Sequence, residues 1–129
     1  MQYFGLEVRA TEMLLQIGLT ANLKGYRYLR RAILIAVMNE SAIHMVTKAI
    51  YPEIAKEFNV NSIGVERAMR HAIEKAWNNG NLEILYQYFG NSINAGKGKP
   101  TNSEFIAVLA DRLRFEMCQL QENGKANSL

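Results

Sequence analysis

One stretch, residues 61–78 (NSIGVERAMRHAIEKAWN), constrains this chain more than any other. At about 100° per residue, Val65, Ala68, Met69, Ala72, Ile73 and Ala76 share one arc of a helix, and Glu66, Arg67, Arg70, His71, Glu74 and Lys75 share the opposite arc. One arc demands a core, and the other is charged. The charged arc is no ordinary Glu/Lys solubility face, because Arg67, Arg70 and His71 crowd into its first turns. A major-groove recognition helix presents its base-reading side chains in that region.

The preceding residues supply a candidate partner helix. Residues 51–58 (YPEIAKEF) place Pro52 where a first helical turn tolerates a missing N–H, followed by Ile54, Ala55 and Phe58 at helical spacing. Residues 59–61 form the expected turn, with Asn61 as N-cap. The spacing alone fits a helix-turn-helix and a plain packed hairpin alike.

Further elements follow the same logic. Residues 11–17 read as a short helix stopped by Gly18, with residues 1–10 an N-terminal extension. Residues 25–39 give a strong helix with the stripe Tyr26, Leu29, Ile33, Val37. Its early arginines, Arg27, Arg30 and Arg31, suit either a solvated face or phosphate contact. Residues 41–50 predict another helix with Ser41 as N-cap, ending at the Tyr51–Pro52 step. His44 within it lacks a second ligand at metal spacing and reads as a core or boundary residue. Asn79-Gly80-Asn81 is a stop, and residues 82–89 restart as a short apolar helix.

Residues 91–100 (NSINAGKGKP) form the long irregular stretch, whose Lys97 and Lys99 can reach a phosphate backbone. The run is no P-loop, lacking both the Gly-x4-Gly-Lys-Ser/Thr spacing and a preceding strand. Thr101 to Glu104 make a capping box that opens a last helix, which gives way to a polar, frayed end. The fold expected is all-α, about six helices, with the helix-turn-helix unit spanning residues 11–121 and the tail 122–129.

Composition narrows the function classes. A single cysteine, Cys118, excludes an internal disulfide and a Cys-rich zinc site, and reads as a small packed side chain. The longest apolar run, residues 32–38, is far short of the roughly 18 residues that span a bilayer. The N-terminus has no basic segment followed by an apolar one, so a cytoplasmic protein is expected. Fifteen basic and twelve acidic residues leave a net charge of +3, which permits nucleic-acid binding without demanding it. An enzyme is not expected: Glu66 and Glu74 each neighbour a cation that keeps them ionised, and His71 has no nucleophile to serve. No cofactor or metal site is indicated, and no aromatic platform supports RNA binding.

Four segments in order, GYRYLRRAI (25–33), YPEIAKEFN (51–59), VERAMRHAIEKAW (65–77) and KPTNSEFIA (99–107), resemble the C-terminal DNA-binding effector domain of the stage zero sporulation protein A family. The resemblance covers about residues 13–115. It implies a six-helix transcription-regulator domain of sporulating Firmicutes whose recognition helix, residues 62–77, enters the major groove of a TGNCGAA-like box. Glu66, Arg67, Arg70 and His71 match the positions that face DNA, and Lys99 matches a loop lysine that reaches it. With Asn61, Ser62 and Gly64 at the helix start and Lys97 in the basic loop, these residues form the candidate DNA-binding set.

Two departures stand out. Gly64 occupies a position where the family usually has arginine, and no segment supplies a receiver domain. The chain therefore reads as an excised effector domain or a short receiver-less relative, and the unfamiliar residues 1–10 favour the second. Double-stranded DNA is the expected partner, with self-association on tandem boxes and an RNA polymerase contact as further partners. The competing reading is a protein-interaction module that modulates a full-length regulator or RNA polymerase.

Overall fold

A computed structural model describes the backbone of residues 2–90 and 98–127 and the side chains of 5–90 and 98–122. Among these residues are six α-helices and no strand: α1 Gln2–Ile17, α2 Lys24–Met38, α3 Tyr51–Phe58, α4 Ser62–Asn79, α5 Leu82–Phe89 and α6 Asn102–Asn127. A 3₁₀ segment, Glu40–Met45, and a π turn, Val46–Ile50, join α2 to α3.

Helix α2 is the hub. It packs against α1, α4 and α6, and its stripe Tyr26, Leu29, Ile33 and Val37 is buried as its spacing predicts. At its start, Gly25 allows contact that no other residue would permit. A Cβ there would lie 2.1 Å from the carbonyl oxygen of Ala68 and 2.8 Å from the Ala72 Cβ. The first turn of α2 thus rests directly on the backbone of α4. Farther along, Trp77, Phe89 and Phe105 lock α4, α5 and α6 together, with ring centroids 5.0 Å apart for Trp77–Phe89 and 5.3 Å for Phe89–Phe105.

Ion pairs tie helix to helix around this core. Arg9 of α1 donates two bonds to Glu116 of α6, at 2.8 and 3.0 Å. Arg31 of α2 forks onto Glu57 of α3. Each guanidinium holds its carboxyl below the ordinary glutamate range.

Several local expectations change. Helix α1 begins at Gln2, not Thr11, because Leu6 and Ala10 continue the buried stripe of Met13, Leu14 and Ile17. It does end at Gly18, at φ 114°, where Leu19 N–H bonds Leu14 C=O in a Schellman closure. The regular helix expected over residues 41–50 is replaced by the tight and wide turns, and Ser41 does not cap it: its hydroxyl donates to Asn39 Oδ1. The two windings offset each other, so Ala42, Val46 and Ile50, spaced four apart, all reach the core. Nor does the chain leave helix at Tyr51–Pro52. The Tyr51 N–H reaches back five residues to Val46 C=O, and that widened turn accommodates the proline. His44 and Cys118 are exposed rather than packed, and α6 stays helical through Asn127, past the expected start of the frayed tail.

Candidate DNA-reading surface

Helix α3, a left-handed turn and helix α4 form the expected motif. Asn59 sits at φ 55°, and Val60 N–H closes onto Ala55 C=O, reversing the chain in three residues. Asn61 then caps α4, its Oδ1 accepting from Gly64 N–H at 2.7 Å. Its side chain is thereby committed to the helix end.

Val65, Met69, Ala72, Ile73 and Ala76 bury one side of α4. The opposite side carries Arg67, Arg70 and His71, all exposed, beside half-buried Glu66. Ser62 is half-buried and Gly64 is exposed in the first turn. Arg70 Nε donates to Glu66 Oε1 at 3.1 Å, one turn back on the same helix. Lys99, from the segment before α6, places its Nζ 2.6 Å from Glu74 Oε1 and keeps that carboxyl ionised below its ordinary range. The structure therefore brings Glu66, Arg67, Arg70, His71 and Lys99 to one surface. Lys97 lies outside the described residues.

Two clefts flank α4. On one side Lys24 joins Gly64, Arg67 and His71 around a cleft of about 600 Å³. On the other, Thr47, Tyr51, Glu66, Arg70, Lys99 and Thr101 line one of about 410 Å³. Cations thus stand on both flanks of the helix, Lys24 on one and Lys99 on the other.

A buried polar knot lies three residues beyond Lys99. Asn102, the first residue of α6, donates from its Nδ2 to Tyr51 Oη at 3.0 Å and to the Glu66 carbonyl at 3.1 Å. It is the buried polar side chain among the described residues, and it joins α3, α4 and α6 at one point. Burial pushes the Tyr51 hydroxyl up, against the opposing effect of the Asn102 bond. The predicted capping box is formed just beside it: Thr101 Oγ1 accepts from Glu104 N–H at 3.1 Å, and Glu104 Oε1 accepts from Thr101 N–H at 2.9 Å.

Sequence reasoning missed Asn102, which reads as one more polar residue in a capping box, and Lys24, which is far from α4 in sequence. The signal for Lys24 was the adjacent Gly25, since a glycine inside a helical pattern marks a close approach. The family model described as Sporulation initiation factor Spo0A C terminal matches residues 10–113, which contain α2 through α5, Lys99 and Asn102. The chain belongs to this family.

The Spo0A C-terminal family is one of DNA-binding, sporulation-type transcription-regulator domains, so the chain is a DNA-binding domain of that kind. The exposed basic side of α4 lies inside the matched span, next to the half-buried Glu66. No helix among the described residues is long and apolar enough to cross a membrane.

Proposed function

We propose that α4 enters the major groove of a TGNCGAA-like box in double-stranded DNA and that the protein regulates transcription in the cytoplasm. The observation that carries this reading is the one-sided placement of exposed Arg67, Arg70 and His71 on a helix whose other side is buried. Arg67 and Arg70 each offer a planar fork that matches guanine O6 and N7. Glu66 accepts from cytosine N4, and His71 takes a phosphate or a base edge. In free protein Arg70 is held by Glu66, so both side chains are already extended along the reading side. Lys99 leaves Glu74 for a phosphate on one flank, Lys24 serves the other, and Lys97, two residues before Lys99 in the sequence, adds positive charge. Asn61 and Ser62 bring the first turn of α4 toward the backbone. Gly64 contributes no side chain, which relaxes the box preference at the base that an arginine there would read.

The test is fluorescence anisotropy on a duplex carrying tandem TGNCGAA boxes and on a scrambled duplex, at two salt concentrations. Preference for the boxes that persists at the higher salt is expected. Equal, salt-fragile binding to both duplexes would overturn the sequence-specific reading, because phosphate contacts alone give that behaviour.

A second reading rests on a different surface. An apolar cleft of about 620 Å³ lies between the first half of α1 and the middle of α6, lined by Leu6, Leu113, Met117 and Leu120. Leu120 is 71% exposed there. A module that docks on a second copy bound at a tandem box, on a full-length regulator or on RNA polymerase would use such a cleft. Leu120→Asp is then expected to abolish cooperative occupation of tandem boxes while leaving single-box affinity unchanged.

A further inference from the structure

Ile63 is the anomaly of the reading surface. It lies in the first turn of α4 and is 68% exposed. At helical spacing it precedes Arg67 by four residues and Arg70 by seven, which puts it on their arc and not on the buried one. Its neighbour Gly64 has no side chain to cover it, and Asn61 is turned back as the cap. A β-branched apolar side chain, stiff at χ1, thus projects from the turn of a reading helix that comes nearest the bases.

We infer that Ile63 reads DNA by apolar contact with the C5-methyl group of a thymine in the major groove. The inference rests on the groove-binding reading of α4 and adds a specificity determinant to it. The chemistry is selective. A thymine methyl is the apolar feature of the major-groove edge, and the remaining groups there are hydrogen-bond donors and acceptors. Isoleucine can neither donate nor accept, so it leaves the polar atoms of guanine or adenine without water or partner, and at cytosine it meets a bare C5–H beside the N4 donor in place of the methyl. Arg67 and Arg70 fix the helix against the same groove, so the methyl contact needs no ordering of its own. The missing side chain at position 64 and the large one at 63 then act together: the helix exchanges a hydrogen-bonding reader for an apolar one at the adjacent position.

The experiment replaces each thymine of the box by uracil in turn, which removes only the C5-methyl, and measures affinity for the wild-type protein and for Ile63→Ala. Burial of one methyl corresponds to about a fourfold change in affinity. Wild type is expected to lose about that factor at one thymine position, and Ile63→Ala is expected to be indifferent there while binding the thymine box about as well as wild type binds the uracil box. Thermal unfolding of the two proteins is expected to coincide, since Ile63 supports no core. Indifference of wild type to every uracil, or an undiminished uracil penalty in Ile63→Ala, overturns the inference while the reading of α4 stands. Absence of any box preference in wild type overturns the reading of α4 itself.

Discussion

Asn102 illustrates how one residue can serve fold and site together. Replacing it by alanine removes two hydrogen bonds and leaves the buried Tyr51 hydroxyl without its donor. A loss of about 1–3 kcal/mol is expected in urea unfolding, the cost of an unpaired buried polar group. Tyr51→Phe, which spares the bond to Glu66, is expected to cost less. Arg70 and Lys99 separate two kinds of contact. Arg70→Ala is expected to lose roughly 1–3 kcal/mol of discrimination between box and scrambled DNA. Lys99→Ala should weaken both duplexes evenly and lower the salt slope by about 1, as anisotropy at graded salt would report. Arg70 was legible in the sequence because it lies on the charged arc of a strongly periodic helix. Asn102 was not, since its partners are 36 and 51 residues away and only the packed fold brings them within reach.

Between elements, the decisive contact is that of α2 on α4. Gly25→Ala would drive a methyl into the Ala68 carbonyl and against the Ala72 Cβ, with no long flexible side chain to yield. The two helices must part, and a destabilisation of about 3 kcal/mol, at the upper end for overpacking, is expected, read as a lowered Tm. DNA affinity would fall with it, because the same shift displaces Lys24 from Arg67 and His71. Helix α2 was legible from its periodic stripe alone, and α4, α5 and the capped start of α6 from end signals as well. The first half of α1 was not separated from a loose extension: Leu6 and Ala10 lie at helical spacing to Met13 and Ile17, but polar and aromatic neighbours obscure the stripe. The connection before α3 was misread for another reason. Its residues carry helical spacing, and only the packed fold winds them as a 3₁₀ segment and a π turn, while Pro52 takes its expected place in the first turn of α3.

For the molecule as a whole, acid should reveal the ion pairs that bind the outer helices to α2 and α6. Glu57 and Glu116 ionise more readily in the folded protein than in the unfolded chain, where the ordinary value is 4.5. Their stabilisation is complete above that value and is lost as pH falls through the lowered folded values. Denaturant midpoints are therefore expected to hold from neutrality to about pH 5 and to decline below it. Glu116→Gln should show a lower midpoint at neutral pH and a shallower decline in acid. The long-range pair Arg9–Glu116 could not be anticipated from sequence, being 107 residues apart.

The seating of α2 on α4 through Gly25 also bears on the heat of DNA binding. A reading helix already braced along its length by α2, α3 and α6 has little left to order when it meets the groove. Its association should lack the large negative heat-capacity change of segments that fold as they bind, and calorimetry across a range of temperatures would register that rigidity as a nearly constant enthalpy.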